Sequence, residues 1–153
     1  SGFLRVDLEL SLPRFALEVA ALFVWNELHF VLVHRAFHHP WLFRRAHFLH
    51  HQSVTTTAFS AYSMHWLESL ALSTVMPLAL LAHAFSVWSL MMLPVFSLVL
   101  NALAHSGVDL FPGRPIGHLL SFTRRHALHH TRVHENFGFF LPYFDRMLKG
   151  VRA

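Results

Sequence analysis

The sequence predicts an all-α, membrane-embedded helical bundle, in which a transmembrane helix hairpin carries a histidine-rich cap on its cytoplasmic face. Three observations lead to this fold class. The 153 residues are 54% hydrophobic and only 13% charged, with a mean hydropathy of +0.43, which is too apolar for an ordinary soluble domain. Residues 66–104 contain one formal charge, Glu68. The 15 histidines are concentrated beside the apolar segments.

The first apolar segment, from about Arg14 to Val33, predicts a helix with Pro13 in its first turn. Proline is favoured there because its missing N–H would have no partner in any case. Both a full membrane span and a partial insertion fit this segment. One side of the helix is expected to face protein or a functional site, because four polar residues interrupt it: Glu18, Asn26, Glu27 and His29.

The second apolar block, residues 66–104, is long enough for two membrane passes of about 20 residues each. Residues 83–86 are the expected turn. A buried hairpin of a soluble protein is the alternative, and it is disfavoured because few soluble helices lack charges on every face. Pro77 and Pro94 lie within the predicted helices, where neighbouring helices can satisfy the freed backbone groups.

The segments that flank this hairpin, residues 34–65 and 105–153, carry most of the polar residues and predict amphipathic helices and loops. Two crossings return the chain to the side that it left, so both segments share one membrane face. Ten of the 12 Lys and Arg residues lie in them, and the positive-inside rule makes that face cytoplasmic, in a bacterial inner membrane or the endoplasmic reticulum. These ten are Arg35, Arg44, Arg45, Arg114, Arg124, Arg125, Arg132, Arg146, Lys149 and Arg152.

Three histidine clusters lie in these polar segments. Two have the form H-x-x-H-H, at 47–51 and 126–130, and the third places two histidines four residues apart, at 34–38. Positions i, i+3 and i+4 of a helix share one face, so each cluster can direct two or three imidazoles at one point. Together with one more histidine they give nine candidate metal ligands: His34, His38, His47, His50, His51, His105, His126, His129 and His130.

The number and type of these side chains predict a dimetal cap. The chain contains no cysteine, so any metal must be held by nitrogen and oxygen donors. Nine imidazoles are too many for one ion, because zinc takes about four ligands and an octahedral ion takes six. Asn101, four residues before His105, and His65, at the membrane boundary, are further candidates for the site. Three isolated histidines are expected to be structural: His29, His83 and His118.

Other functional classes fit the sequence less well. Nucleic-acid binding is disfavoured because the 12 Lys and Arg residues are scattered among apolar stretches. Bis-histidine haem would place single histidines inside the spans, and an intramembrane zinc protease would need H-E-x-x-H, which residues 134–137 do not complete. A non-catalytic metal-binding or metal-transport membrane protein stays open as an alternative, although transporters usually carry titratable groups at mid-membrane.

The histidine clusters belong to a longer ordered series of motifs: His34-Arg35-x-x-His38-His39-Pro40, His47-x-x-His50-His51, Ala58-Phe59-Ser60-Ala61-Tyr62, His65-x-x-Glu68, Asn101-x-x-x-His105, His126-x-x-His129-His130, and Asn136-Phe137-Gly138 through Phe144-Asp145-Arg146. This series resembles the sterol desaturase and fatty acid hydroxylase superfamily over about residues 27–149. No single H-x-x-H-H would carry the resemblance, but the whole series is specific. Asn101 stands where some members have a histidine.

The resemblance implies O2-dependent oxidation of lipid C–H bonds at two iron ions, by hydroxylation or desaturation of a fatty acyl chain or a sterol-like substrate. Zinc is an expected substitute in the isolated protein. No catalytic residues are expected beyond the metal ligands, because an apolar C–H bond offers acids and bases nothing to act on. We expect residues 1–153 to form one catalytic domain, the core of a longer chain.

Two further expectations concern the surroundings of the site. The reaction needs external electrons and the chain has no motif for a redox carrier, so we expect a separate donor of the cytochrome b5, ferredoxin or reductase type. Glu27, nearly two helical turns before His34, is expected to hold a ligand histidine by a hydrogen bond. Five cations could attract an acidic donor, although topological positive charge alone would also explain them: Arg44, Arg45, Arg124, Arg125 and Arg132.

Overall fold

The computed structural model describes residues 6–147, and the elements assigned within this range are all helical, apart from one isolated β-bridge between Asp7 and Ser86. The predicted all-α class is therefore confirmed for the described chain. Two of the predicted cytoplasmic cations, Lys149 and Arg152, lie outside the described residues. The elements are α1 (Leu12–Phe37), α2 (Pro40–Leu42), a π-helical turn (Phe43–His47), α3 (Phe48–His51), a 3-10 turn (Ala58–Tyr62), α4 (Trp66–Ser73), α5 (Val75–Ala82), α6 (Val87–Leu90), α7 (Met92–Ala104), a second 3-10 turn (Leu119–Ser121), α8 (Phe122–Thr131) and α9 (Pro142–Met147).

Helix α1 confirms the first predicted apolar helix and extends beyond it. It has 26 residues, with a proline in its first turn, and it ends at Phe37. No glycine or proline lies between Pro13 and Pro40, and a residue that precedes a proline disfavours the α conformation. The extension matters because it places His34 in the last turn of α1 and His38 at its C-cap.

The predicted hairpin is present, with its turn at residues 83–86. Helices α4 and α5 form one arm, Trp66–Ala82, and α6 and α7 form the other, Val87–Ala104. Both arms pack against α1. The apolar core between them includes Leu22 of α1, Ala79 of α5 and Leu93 of α7. Helix α1 is thus the central element of the bundle.

Two helices, Leu12–Phe37 and Val87–Ala104, are long and apolar enough to cross a membrane. The arm Trp66–Ala82 is shorter, and at a rise of about 1.5 Å per residue it reaches roughly 25 Å. Only 33% and 22% of the apolar windows of the two longer helices are buried. A core helix of a soluble protein would be mostly buried, so these helices present apolar surface that no described residue covers.

A polar cluster ties the hairpin turn to the N-terminal end of α1. The carboxylate of Glu18 accepts hydrogen bonds from Arg14 Nε (2.8 Å), from His83 Nε2 (3.2 Å) and from the backbone N–H of Ser86 (2.9 Å). Arg14 also forms an ion pair with Asp7. These contacts explain the charged residues in an otherwise apolar helix, and they lie at the opposite end of α1 from His34.

Candidate metal centre

The structure brings the nine predicted histidines together in two buried groups at the C-terminal end of α1. Within each group, the ligand nitrogen atoms all lie within 4.8 Å of one another. The five-histidine group consists of His34, His38, His47, His51 and His129. The four-histidine group consists of His50, His105, His126 and His130.

Each H-x-x-H-H triplet is divided between the two groups in the same way. The first and last histidines, four residues apart, stay in one group, and the middle histidine joins the other. The middle histidine is His50 in the triplet 47–51 and His129 in the triplet 126–130. Helical spacing predicts a shared face for all three side chains, whereas the structure shows that each triplet links the two groups and holds them side by side.

The Nε2 atoms of both groups converge. Neighbouring Nε2 atoms are 3.0–3.3 Å apart in the five-histidine group and 2.8–3.2 Å apart in the four-histidine group. Two nitrogens bound at right angles to one ion, each at about 2.1 Å, would be about 3.0 Å apart. The separations therefore match those of neighbouring ligands around one metal ion in each group.

Backbone carbonyls fix the outer nitrogens of two histidines in the five-histidine group. His34 Nδ1 lies 2.8 Å from the carbonyl oxygen of Phe137, and His129 Nδ1 lies 2.6 Å from that of Glu135. A carbonyl oxygen can only accept a hydrogen bond, so each Nδ1 carries the proton. The Nε2 atom of each neutral ring then presents a bare lone pair to its group.

The four-histidine group uses the same device. His50 Nδ1 lies 3.2 Å from the carbonyl oxygen of Ser63, and His105 Nδ1 lies 2.9 Å from that of Asn101. These carbonyls belong to the residues just before α4 and near the end of α7. Packing of the hairpin arms thus orients the rings, which is how outer contacts commonly hold ligand histidines.

A fifth imidazole is oriented by a carboxylate that sequence analysis did not assign to this role. His47 Nδ1 lies 2.8 Å from Glu68 Oε1, and both side chains are almost completely buried. The contact lacks hydrogen-bond geometry, so the carboxylate acts on the ring through electrostatic attraction for the Nδ1 proton, which raises the basicity of the ligand nitrogen. The sequence contained a signal for it, because Glu68 is the single formal charge of residues 66–104 and a charged group in an apolar helix needs a partner.

Glu27 takes a role different from the predicted one. Its Oε2 atom accepts hydrogen bonds from the backbone N–H groups of Phe140 and Leu141, each at 2.8 Å. The spacing along α1 predicted proximity to His34, but the carboxylate instead meets the loop that follows α8. Through these hydrogen bonds Glu27 supports the loop that supplies the Phe137 carbonyl to His34.

Arg125, one of the five cations that could attract an acidic donor, does not lie on the surface. Its side chain is almost completely buried, with 1% exposure, and its guanidinium donates to the carbonyl oxygens of Ile116, His118 and Phe140. Sequence analysis placed Arg125 with its exposed neighbours because position along the chain does not show which way a helical side chain points. Arg125 stabilises the same loop as Glu27.

His65 and Asn101 lie outside the two sets of converging nitrogens. His65 is the N-cap of α4, where its Nδ1 accepts a hydrogen bond from the N–H of Leu67 at 3.2 Å. The Asn101 carbonyl orients His105, and its side chain lines the cavity between the groups. The isolated histidines also make hydrogen bonds outside the groups: His29, His83 and His118.

Burial keeps the imidazoles of both groups neutral. It lowers the pKa of His47 to about 4 and the pKa of His51 and of His105 to about 3. Desolvation and neighbouring imidazoles hold the pKa of His126 well below its ordinary value. Neutral rings with converging lone pairs repel one another unless a cation lies between them, and the neutral ring is the form that binds a metal. The donor set therefore fits one metal ion in each group.

A small cavity lies where the two groups meet. Its walls include two members of the five-histidine group and three of the four-histidine group, together with the apolar side chains of Phe30, Met64 and Leu72. A larger, mostly apolar groove of about 420 Å³ opens between the arms of the hairpin. Leu72 and Asn101 line both spaces, so the groove and the histidine cavity are adjacent.

Comparisons with known proteins connect this centre to lipid chemistry. The fatty acid hydroxylase family matches residues 19–150, a range that includes all nine histidines. The chain is 34% identical over 127 residues to the very-long-chain aldehyde decarbonylase GL1-1 of Oryza sativa subsp. indica. It is 30% identical over 122 residues to the protein CER1-like 1 of Arabidopsis thaliana, and 28% identical over 123 residues to the very-long-chain aldehyde decarbonylase CER1 of the same species.

These alignments cover 73–76% of this chain and 20% of each relative. The chain thus spans about a fifth of the length of the curated relatives that it matches. No solved structure matches it significantly. The similarity therefore applies to the part of the relatives that corresponds to the helices and histidines described above.

Proposed function

The chain belongs to the fatty acid hydroxylase family, and from this premise we propose that it catalyses O2-dependent oxidation of a lipid C–H bond at two histidine-bound iron ions. The family and the relatives indicate lipid-modifying oxidative chemistry. One observation carries the proposal: the Nε2 atoms of nine histidines converge in two groups beside a cavity that shares wall residues with an apolar groove.

The five-histidine group and the four-histidine group would each hold one iron ion. When bound, the two ions supply the activation of O2 and the removal of hydrogen from an unactivated C–H bond, which protein side chains cannot achieve alone. Imidazole donors without thiolate suit ferrous iron, and they suit zinc as well. We therefore expect zinc to compete with iron in the isolated protein.

The remaining residues of the site orient the lipid and exclude water. The groove between the hairpin arms offers an apolar surface to an alkyl chain, and Leu72 stands where the groove meets the histidine cavity. Holding one C–H bond beside the metals removes much of the entropic cost of the reaction. Hydroxylation and desaturation of a fatty acyl chain or a sterol-like substrate are both outcomes of this arrangement. The names of the relatives add long-chain aldehydes to the substrates to be tested.

We propose that the protein is integral to a membrane and that its metal centre lies on the cytoplasmic face. Large apolar side chains are exposed on both candidate spans, such as Leu17 at 73% and Leu98 at 58%, and lipid is the natural cover for such a surface. Arg35 lies in the last turn of α1, and Arg44 and Arg45 follow this helix at the histidine end of the bundle. The positive-inside rule supports a cytoplasmic location for that end.

Electrons would come from a separate donor of the cytochrome b5, ferredoxin or reductase type. A surface cleft reaches His38 of the five-histidine group, and Arg44 and His134 line the same cleft. The guanidinium group of Arg44 can attract an acidic carrier to this position. We therefore propose this cleft as the docking site, without a contribution from the buried Arg125.

Lipid analysis tests the proposed reaction. Cells that express the protein together with an electron donor are compared by mass spectrometry with cells that express His50→Ala or His129→Ala. Gain of one oxygen indicates hydroxylation, and loss of two hydrogens indicates desaturation. We expect both variants to lose the product and His39→Ala to keep it, because His39 is exposed and lies outside both groups. No lipid change with a working donor, or unchanged metal content in both variants, would refute the proposal.

A metal-binding or metal-transport protein without catalysis is the second candidate, because the two donor groups by themselves would support it. It predicts bound metal without any change in lipid composition. Flux of zinc or iron into vesicles that contain the purified protein distinguishes the two functions. The hairpin argues against transport, because Glu68 and His83 are the sole Asp, Glu, Lys, Arg or His residues in residues 66–104.

A further inference from the structure

A polar pocket adjoins the histidine cavity on the side of α1 and α7. Asn26 and His29 of α1 and Ser97 and Asn101 of α7 line it, with apolar side chains between them. None of these four residues belongs to the two histidine groups. Asn101 also lines the histidine cavity, whereas the other three do not, so the metal centre does not account for the pocket as a whole.

Most polar groups of this pocket have no protein partner. Asn26 is 8% exposed, and its side-chain amide makes no hydrogen bond within residues 6–147. Ser97 is exposed and Asn101 is half-buried, and neither side chain has a hydrogen-bond partner among residues 6–147. His29 differs, because its Nε2 lies 2.9 Å from Thr74 Oγ1. The Asn26 amide keeps unused donor and acceptor capacity at the pocket wall, so the pocket is suited to a guest that can form hydrogen bonds.

The guest that fits this pocket is uncharged. No Lys, Arg, Asp or Glu lines the pocket, and the neighbouring Glu27 is engaged with the backbone N–H groups of Phe140 and Leu141. A carboxylate or phosphate would be buried there without a counter-charge, which is strongly unfavourable. Amide and hydroxyl groups can donate to and accept from a neutral oxygen.

Three spaces meet at Leu72 and Asn101, because these two residues line the polar pocket, the apolar groove and the histidine cavity. A long-chain molecule with its alkyl tail in the groove can therefore place a polar end in the pocket. The carbon atoms next to that end would then lie towards the histidine cavity.

We propose that the pocket formed by Asn26, Ser97 and Asn101 binds the uncharged oxygen group of a long-chain primary alcohol or aldehyde and discriminates against the corresponding carboxylate. The bound oxygen fixes the position of the chain, so that carbons near the oxygen-bearing end face the metals. This choice of carbon rests on the function proposed above. The binding preference does not rest on that function, because binding is measured without turnover.

Equilibrium binding of hexadecanol, hexadecane and palmitate to the purified protein in detergent tests the preference. Each affinity is expressed as the ratio between wild type and Asn26→Leu, so that partitioning of the ligand into micelles cancels. We expect Asn26→Leu to weaken hexadecanol binding by about tenfold, the size of one or two hydrogen bonds, and hexadecane binding by less than about twofold. Palmitate should be affected less than hexadecanol.

Two serine variants provide a matched control that does not alter α1. Ser97→Ala should weaken hexadecanol binding severalfold. Ser89→Ala should leave it unchanged, because Ser89, in the same hairpin arm, lines neither the pocket nor the groove. If Asn26→Leu fails to fold, this pair still decides the question. Equal effects of the two serine variants, or equal loss of hexadecanol and hexadecane binding in Asn26→Leu, would overturn the proposal.

The outcomes also separate this inference from the proposed function. If the protein binds alcohol selectively but oxidises no lipid, the proposed binding preference of the pocket stands and the proposed enzymatic function is refuted. If fragmentation of the product locates the oxidation at mid-chain carbons, the proposed enzymatic function stands and the positioning role of the pocket is refuted.

Discussion

The two histidine groups share one ligand type but differ in how they are enclosed. In the five-histidine group, two carbonyls of the loop after α8 fix the outer nitrogens of His34 and His129, and the Glu68 carboxylate lies beside that of His47. In the four-histidine group, the carbonyls of Ser63 and Asn101, beside the hairpin arms, fix the outer nitrogens of His50 and His105. The first group is thus held by a loop and a buried carboxylate, and the second by the hairpin itself.

The cavity between the groups adds a second difference. Three of the four members of the four-histidine group line it, but only two of the five members of the other group do. Under the proposed function, a group with fewer nitrogen donors and more contact with the cavity would leave more room for O2 and substrate. The five-histidine group would then mainly retain its metal, and the four-histidine group would face the reaction.

Removal of one histidine should give the largest difference in metal content and activity between the two groups. His105→Ala leaves three imidazoles in its group, whereas His38→Ala leaves four, the number that closes a structural zinc site. We expect His105→Ala to lose one metal ion per chain and to reduce activity more than about 100-fold, beyond the loss typical of outer contacts. We expect His38→Ala to retain both ions with lower affinity. Metal content after dialysis measures the difference, and equal losses would show that the groups are equivalent.

Removal of the Glu68 carboxylate should affect one group. Glu68→Ala should lower metal affinity of the five-histidine group by about 10–100-fold, because His47 loses the partner of its Nδ1. Glu68→Gln should cost less, since an amide oxygen can still attract the Nδ1 proton of His47. A cobalt titration that resolves two binding steps measures the metal affinity of both variants. Glu135→Gln is the matched control, because it changes a carboxylate but keeps the carbonyl that contacts His129. A loss confined to the four-histidine group would contradict the assignment.

Acidification should destabilise the metal-free protein through the histidines of both groups. The pKa in the folded protein is about 4 for His47 and about 3 for His51 and His105, against 6.5 for an ordinary histidine. At pH values between the folded and the ordinary pKa, the unfolded chain therefore binds more protons than the folded protein. Stability of the metal-free protein should be retained above about pH 6.5 and fall with decreasing pH, by up to about 1.4 kcal/mol per unit for each titrating ring. Thermal unfolding at stepped pH measures this, and a rise in stability on acidification would contradict it.

The smallest effect is expected at the loop that orients His34. A methyl group at Gly138 would lie 2.6 Å from Asp145 Oδ2 and 3.1 Å from the carbonyl oxygen of Leu141. Gly138→Ala should therefore shift the loop and weaken metal binding in the five-histidine group severalfold, or by about 1 kcal/mol.

Gly117→Ala is the control for the loop variant, because its methyl group would meet only the end of the flexible Arg146 side chain. We expect metal affinity to stay unchanged in Gly117→Ala. An effect of Gly138→Ala on the four-histidine group, seen in the same cobalt titration, would show that the loop does not act on one group alone.

Sequence reasoning succeeded where the signal is local. The apolar helix after Pro13, the turn at residues 83–86 and the nine histidines that the fold brings together follow from hydropathy and helical spacing. It did not foresee that each triplet is divided between two groups, because the orientation of each ring depends on helices distant in the chain. For the same reason it overlooked the contact of Glu68 with His47 and placed Arg125 on the surface.

By itself, the sequence determined an all-α chain with long apolar helices and three histidine clusters, since composition and periodicity depend on neighbouring residues. Tertiary structure decided which lone pairs meet, which carbonyls and carboxylates hold the rings, and that Glu27 serves a loop rather than a ligand. It also decided that an apolar groove and a polar pocket meet beside the histidines. These features arise from packing between helices far apart in the chain, and close packing of such surfaces depends on many side chains at once.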